Sequence, residues 1–166
     1  MGKLKFLIIH CADTPSAMKV TAEDIKRWHM APEPEGRGWD RPGYSDFIRR
    51  DGSLEQLNEY DEDKWVEAHE ITYGAAGFNG VSRHICLAGG QDAQKNKLPK
   101  TGDFNDMMTP EQFVTLREYV LDFLYHHPDC KILGHYMVHD YKQCPGFDIQ
   151  KFLRFIEIPE KNIYKS

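Results

Sequence analysis

Four apolar residues stand without interruption at Phe6-Leu-Ile-Ile9, and His10 follows at once. A short unbroken apolar run fits a strand covered on both faces. A chain that begins this way needs helices to pack on the sheet it builds. The run is too short for a secretory signal, which needs roughly 7–15 apolar residues, and Asp13 soon follows it. No other stretch approaches the roughly 20 apolar residues of a membrane span.

The remaining elements follow from punctuation. Thr21 caps a helix, acids fill its first turn, and Val20 and Ile25 have the spacing of a hydrophobic staple. Pro32 and Pro34 end it near residue 30. Gly43 to Arg50, the turn Asp51-Gly52, and Ser53 to Leu57 give a β-hairpin signal. Arg83 to Ala88 reads as a second buried strand, closed by Gly89-Gly90. Thr109-Pro-Glu-Gln112 is the clearest helix start, with a capping box and proline in the first position. Phe113, Leu116, Val120 and Leu124 form its apolar stripe, and Pro128 ends it. Ile132-Leu133 is the last strand, and Asp148 caps a final helix carrying Phe152, Leu153 and Ile156. Residues 64–68 suggest a short helical turn, and residues 91–106 an exposed loop. The order predicts an α/β fold: one domain over residues 1–166, core about 4–156, with a central mixed sheet flanked by helices.

Charge and cysteine content narrow the function. A formal net charge of −5 gives no electrostatic reason to expect nucleic acid as a partner. Cys11 and Cys86 sit in apolar runs, which favours reduced core thiols over disulfides. A monomer made in a reducing compartment, with no membrane contact, is the expectation.

Potential ligands gather at two strand ends. His10 follows the first strand, and His135, His139, Lys142 and Cys144 crowd the stretch after the last. Spacing alone leaves the meaning open. Cys is a common core residue, and a His and a Cys in one loop are often unrelated. The His135/His139 spacing suits one helix face, but no Glu follows His135, and Gly134 and Pro145-Gly146 argue for a loop.

Longer patterns carry a resemblance. In order, they are Ile9-His10-Cys-Ala-Asp-Thr14, then Trp28-His29, Gly38-Trp39, Gly43-Tyr44, Asp51-Gly52 and Ala68-His69. After these come Ile85-Cys-Leu-Ala-Gly89-Gly90, Thr109-Pro-Glu-Gln112, Gly134-His135 and Lys142-Gln-Cys144-Pro-Gly-Phe147-Asp148. This succession over about residues 6–155 resembles the zinc-dependent N-acetylmuramoyl-L-alanine amidases of the T7 lysozyme and peptidoglycan-recognition-protein type. The resemblance implies one Zn²⁺ per chain on His10, His135 and Cys144, with Tyr44 and Lys142 as catalytic residues. It further implies His69 and Thr14 as candidate substrate contacts. Peptidoglycan would be the substrate, cut between N-acetylmuramic acid and L-alanine. A phage or prophage endolysin would be made in the bacterial cytoplasm and act on the wall after release. The alternative is a recognition module that binds peptidoglycan without cutting it.

Two places depart from the family pattern. The family often has Gly-Tyr-His-Phe where this chain has Gly43-Tyr44-Ser45-Asp46-Phe47. It usually has Ser-Ile-Gly before the Ile-Cys-Leu strand, where Arg83-His84 stands here. His139 has no place in the implied ligand set and is expected beside the site or at the surface.

Overall fold

The computed structural model describes residues 1–166. Its strands are β1 (Gly2–Lys3), β2 (Phe6–Cys11), β3 (Thr14–Pro15), β4 (Asp46–Ile48), β5 (Leu54–Gln56), β6 (Trp65–Val66), β7 (Ser82–Leu87), β8 (Gly90–Gln91) and β9 (Lys131–Gly134). The helices are α1 (Ala22–Met30), α2 (Phe104–Met107), α3 (Pro110–His126) and α4 (Ile149–Phe155). None of them is long and apolar enough to cross a membrane.

The main sheet runs β5-β4-β7-β2-β9. β2 lies between β7 and β9 and is parallel to both, and β4 is parallel to β7. Only β5 is antiparallel, joined to β4 through the Asp51-Gly52 turn. The sheet is therefore mixed, as its sequence pattern predicts.

Alternation along the strands sorts residues to two faces. Leu7, Ile9, Ile48, Ile85, Leu87 and Ile132 share a core with Leu116, Val120 and Phe123 of α3 and Phe152 and Leu153 of α4. On the other face, Phe47 and Cys86 pack with Val20 and Ile25 at α1. Val20 and Ile25 are both buried in that cluster, as a staple requires. His10 and His84 belong to this second face by the same alternation.

The caps predicted from sequence are present. Thr21 and Asp24 close a capping box on α1, and Thr109 and Gln112 close one on α3. Gln112 is fully buried and donates to the Ala88 carbonyl at 2.9 Å, so the start of α3 is tied to the end of β7.

One local expectation fails and another is refined. Residues 64–68 hold strand β6, which pairs with the amino-terminal β1 (Gly2 opposite Val66) in place of a helical turn. That partner lies far away in sequence, so no local pattern reveals it. Residues 91–106 contain the start of α2, capped by Asp103, and Met107 at its end is buried. Leu98 is partly buried against the main core, but no residue of 91–106 is buried, so the segment is the exposed stretch expected, with α2 starting at its end.

Polar groups also enter the α3 face. Asp46 is buried and accepts from the Tyr60 hydroxyl at 2.7 Å and the Tyr119 hydroxyl at 2.5 Å. Burial raises its carboxyl above the usual range, and the two tyrosines oppose that rise. Arg83 is buried, stacks over the Tyr60 ring at 3.8 Å and pairs with Glu62 at 2.9 Å. Asp46→Ala would leave both hydroxyls without this acceptor. A buried group stripped of its partner costs about 1–3 kcal/mol, so urea denaturation should show a loss of that order. Asp46→Asn retains one acceptor oxygen and should lose less.

Candidate metal centre and cleft

Parallel pairing delivers the site residues. β2 carries His10 towards its carboxyl end, and β9 stops at Gly134, so His135 opens a 3-10 turn over His135–Met137. Crevices at the carboxyl ends of parallel strands are the usual ligand sites of such sheets. Cys144 lies in the loop that returns towards α4. Its carbonyl accepts from the Tyr136 N–H at 3.0 Å, and the Tyr136 hydroxyl accepts from the Ile149 N–H at 3.2 Å. These bonds tie the loop down at both ends.

One donor atom each from His10, His135 and Cys144 lies within 4.8 Å of the others. His10 Nδ1 stands 3.7 Å from Cys144 Sγ. A tetrahedral ion with nitrogen at about 2.0 Å and sulfur at about 2.3 Å would hold that pair roughly 3.5 Å apart. The set fits a metal ion, and three such protein donors mark a catalytic site more than a closed structural one.

The electrostatics agree. His10 is fully buried, and burial, followed by His84, His135 and Lys142, holds its imidazole well below the ordinary value. Burial, His139 and Lys142 bring His135 down to about 4. Both rings are therefore neutral at pH 7, the form that ligates metal. Burial pushes the Cys144 thiol well up. The Cys11 N–H donates to its sulfur at 3.2 Å, a contact that suits a thiolate, and a bound cation would bring about that ionisation.

Tyr44 and Lys142 reach the same place. The Tyr44 ring centroid is 5.0 Å from that of His10. Burial, then the nearby thiols, raise its phenol well above the usual value. Tyr44, His135, Lys142, Arg37, Trp39 and Tyr73 line one cleft of about 210 Å³. No carboxylate lines it, although the whole chain is acidic. Trp39 stacks on His29, with ring centroids 5.1 Å apart, and meets Tyr73 edge-on at 5.6 Å, which makes an aromatic wall.

The two other sequence candidates lie elsewhere. The His69 side chain is 62% exposed, faces Glu67 and is not among the cleft residues. Thr14 is buried, and its hydroxyl accepts from the Gly89 N–H at 3.0 Å, so it joins the loops after β2 and β7. The chain uses Thr14 to brace the site from behind.

Three histidines gain a role that motif reading did not assign. His84 Nδ1 lies 2.9 Å from His10 Nε2, and His139 Nδ1 lies 2.9 Å from His135 Nε2. His29 Nδ1 accepts from the Gly43 N–H at 3.1 Å, which steadies the residue just before Tyr44. Strand parity was the available signal for His84, since it falls on the same face as His10.

A mixed sheet with two imidazoles and a thiol gathered at its strand ends, beside a lysine, has the donor set of a metal-assisted hydrolase. The N-acetylmuramoyl-L-alanine amidase family profile matches residues 1–147, and the chain belongs to that family. It is 31% identical over 150 residues to the endolysin of Enterobacteria phage K11, covering 90% of this chain and 85% of that one. It is 29% identical over 146 residues to the endolysin of Escherichia phage T7, covering 88% and 83%. The solved N-acetylmuramoyl-L-alanine amidase LysC from Clostridium intestinale shares the fold. Its TM-score is 0.67 at 18% identity, over 95% of this chain and 88% of that one.

The depressed histidines make the metal-free protein acid-sensitive. In the fold His29 and His135 sit at about 4 and His84 at about 3. Unfolded imidazoles titrate near about 6.5, so between these values the unfolded chain binds more protons. Stability is then complete above about pH 6.5 and falls as pH drops towards about 4. Thermal melts of metal-free protein across that range should show a steadily falling midpoint. A flat midpoint would mean that the rings are solvated.

Proposed function

We propose that the chain hydrolyses the amide between the lactyl group of N-acetylmuramic acid and L-alanine, with one zinc ion held by His10, His135 and Cys144. The observation that carries this reading is the meeting of those three donor atoms within 4.8 Å, with His135 also lining the cleft that Tyr44 and Lys142 line. When bound, zinc supplies Lewis acidity, making water ionisable near neutral pH and polarising a carbonyl.

The protein's own groups do the rest. His10 and His135 stay neutral and hold their donor nitrogens in place. Lys142 sets a positive charge where negative charge develops on the amide oxygen. Tyr44 is a poor general base because its phenol is raised above an already high value, so it orients groups by hydrogen bonding. The aromatic wall of Trp39 and Tyr73 offers apolar surface to the substrate, and Arg37 stands 5.0 Å over Trp39. With Lys142 it gives the cleft a cationic lining that suits a stem peptide bearing carboxylates.

The matched relatives are phage endolysins. The same role here is a lysin made in the bacterial cytoplasm, monomeric, and delivered to the wall by a separate membrane-disrupting protein. A recognition module without hydrolysis is the other reading, and the presence of Cys144, Tyr44 and Lys142 together speaks against it. Turbidity of purified cell walls separates the two: it falls for a hydrolase and stays constant for a binder.

EDTA should abolish that clearing, and added zinc should restore it. Cys144→Ser should keep the fold and lose activity, because a hydroxyl stays protonated at neutral pH and is a weak zinc ligand. Circular dichroism beside the turbidity assay checks both halves. Lys142→Ala should lower kcat by about 10²–10³, the usual effect of removing one oxyanion donor, with KM and zinc content little changed. Unchanged kcat would make Lys142 a solvated lysine, and loss of zinc would make it a support for the loop.

A further inference from the structure

We propose that His84 is a positioning residue for the metal centre: its Nδ1 accepts the His10 Nε2 proton and so fixes the tautomer and the angle at which His10 presents Nδ1. This rests on the zinc reading above and adds a residue to it.

The two nitrogens of His10 face opposite ways. Nδ1 points to the Cys144 sulfur at 3.7 Å, and Nε2 points to His84 Nδ1 at 2.9 Å. A metal on Nδ1 requires the His10 proton to sit on Nε2. His84 must then accept through Nδ1 and carry its own proton on Nε2. That second nitrogen is buried and has no hydrogen-bond partner. Buried polar atoms without partners are uncommon, so the ring is not held there by its own satisfaction. Its one polar contact through the ring is with the ligand.

The surroundings are built to hold this ring. His84 is fully buried in the middle of β7. A Cβ on Gly74 would fall 2.4 Å from His84 Nδ1 and 2.7 Å from its Cγ, so only glycine leaves room for it. The Ser45 N–H donates to the His84 carbonyl at 2.8 Å, and the His84 N–H donates to Ser45 Oγ at 3.4 Å. The register Asp46 opposite Ile85 puts Ser45 beside His84 on one face. In the family pattern a histidine follows Gly-Tyr and a glycine precedes the Ile-Cys-Leu strand. Here Ser45 and His84 stand in those places.

Partners that orient a metal-bound imidazole typically contribute about 10–100-fold to metal affinity. The test measures the zinc dissociation constant of the full chain by competition with a chromophoric chelator, beside the melting midpoint of each metal-free variant. His84→Ala should bind zinc about 10–100-fold more weakly than wild type. His84→Asn, whose side-chain oxygen can accept the same proton, should recover most of that loss even if its metal-free midpoint is lowered. The cobalt-substituted His84→Ala protein should show an altered visible spectrum, reporting a changed coordination geometry. His84→Ala that binds zinc as tightly as wild type overturns the proposal, and so does His84→Asn that binds as weakly as His84→Ala. Wild type that takes up no zinc would instead sink the metal reading itself.

Discussion

The parallel alignment of β2 with β7 and β9 is the constraint on which the rest depends. It puts three carboxyl-terminal strand ends on one edge of the sheet. Phe6 pairs with both Ser82 and Lys131, so the three strands start level. His10 then reaches the edge just where β9 ends and His135 begins its turn. A slip of one residue in β2 would send His10 to the α3 face and Ile9 into the cleft. The apolar residues Leu7 and Ile9, fully buried against α3 and α4, hold the register against that slip.

That register requires buried polarity. His10 and His84 are imidazoles in the middle of a core, where an isolated polar group would be costly. Three features make them tolerable. Each is neutral at physiological pH, they bond to one another, and the other His10 nitrogen lies 3.7 Å from the Cys144 sulfur. The site is thus partly a solution to a folding problem. The groups that make it reactive are the ones the core would otherwise exclude.

Much of this was legible from residues alone, for identifiable reasons. The apolar runs Phe6–Ile9 and Ile85–Ala88 announce strands, and Thr21 and Thr109 announce helix starts, because those signals are local. Phe113, Leu116 and Val120 at helical spacing announce the face that α3 buries. The pairing of Trp65–Val66 with Gly2–Lys3 was not legible, since it depends on a partner over sixty residues away. His69 drew attention through its Ala-His motif, yet its side chain points to solvent near Glu67. His84 was noticed only as a departure, because strand parity shows a face but not which side chains touch across it.

The two departures from the family pattern meet in the fold. Ser45 and Asp46 are neighbours on β4, and Arg83 and His84 are neighbours on β7, so the alternation of each strand sends one member to each face. On the cleft face Ser45 and His84 lie side by side, and the imidazole sits on β7. On the α3 face stand Asp46 and Arg83. Tyr60 joins that pair, with its hydroxyl on Asp46 and its ring under Arg83, while Tyr119 and Glu62 satisfy what remains. Each of these buried polar groups depends on its partners, since a buried ion without them is strongly destabilising. Asp46 and Arg83 have their partners on the α3 face, the sheet keeps its register, and His10 keeps a partner behind it.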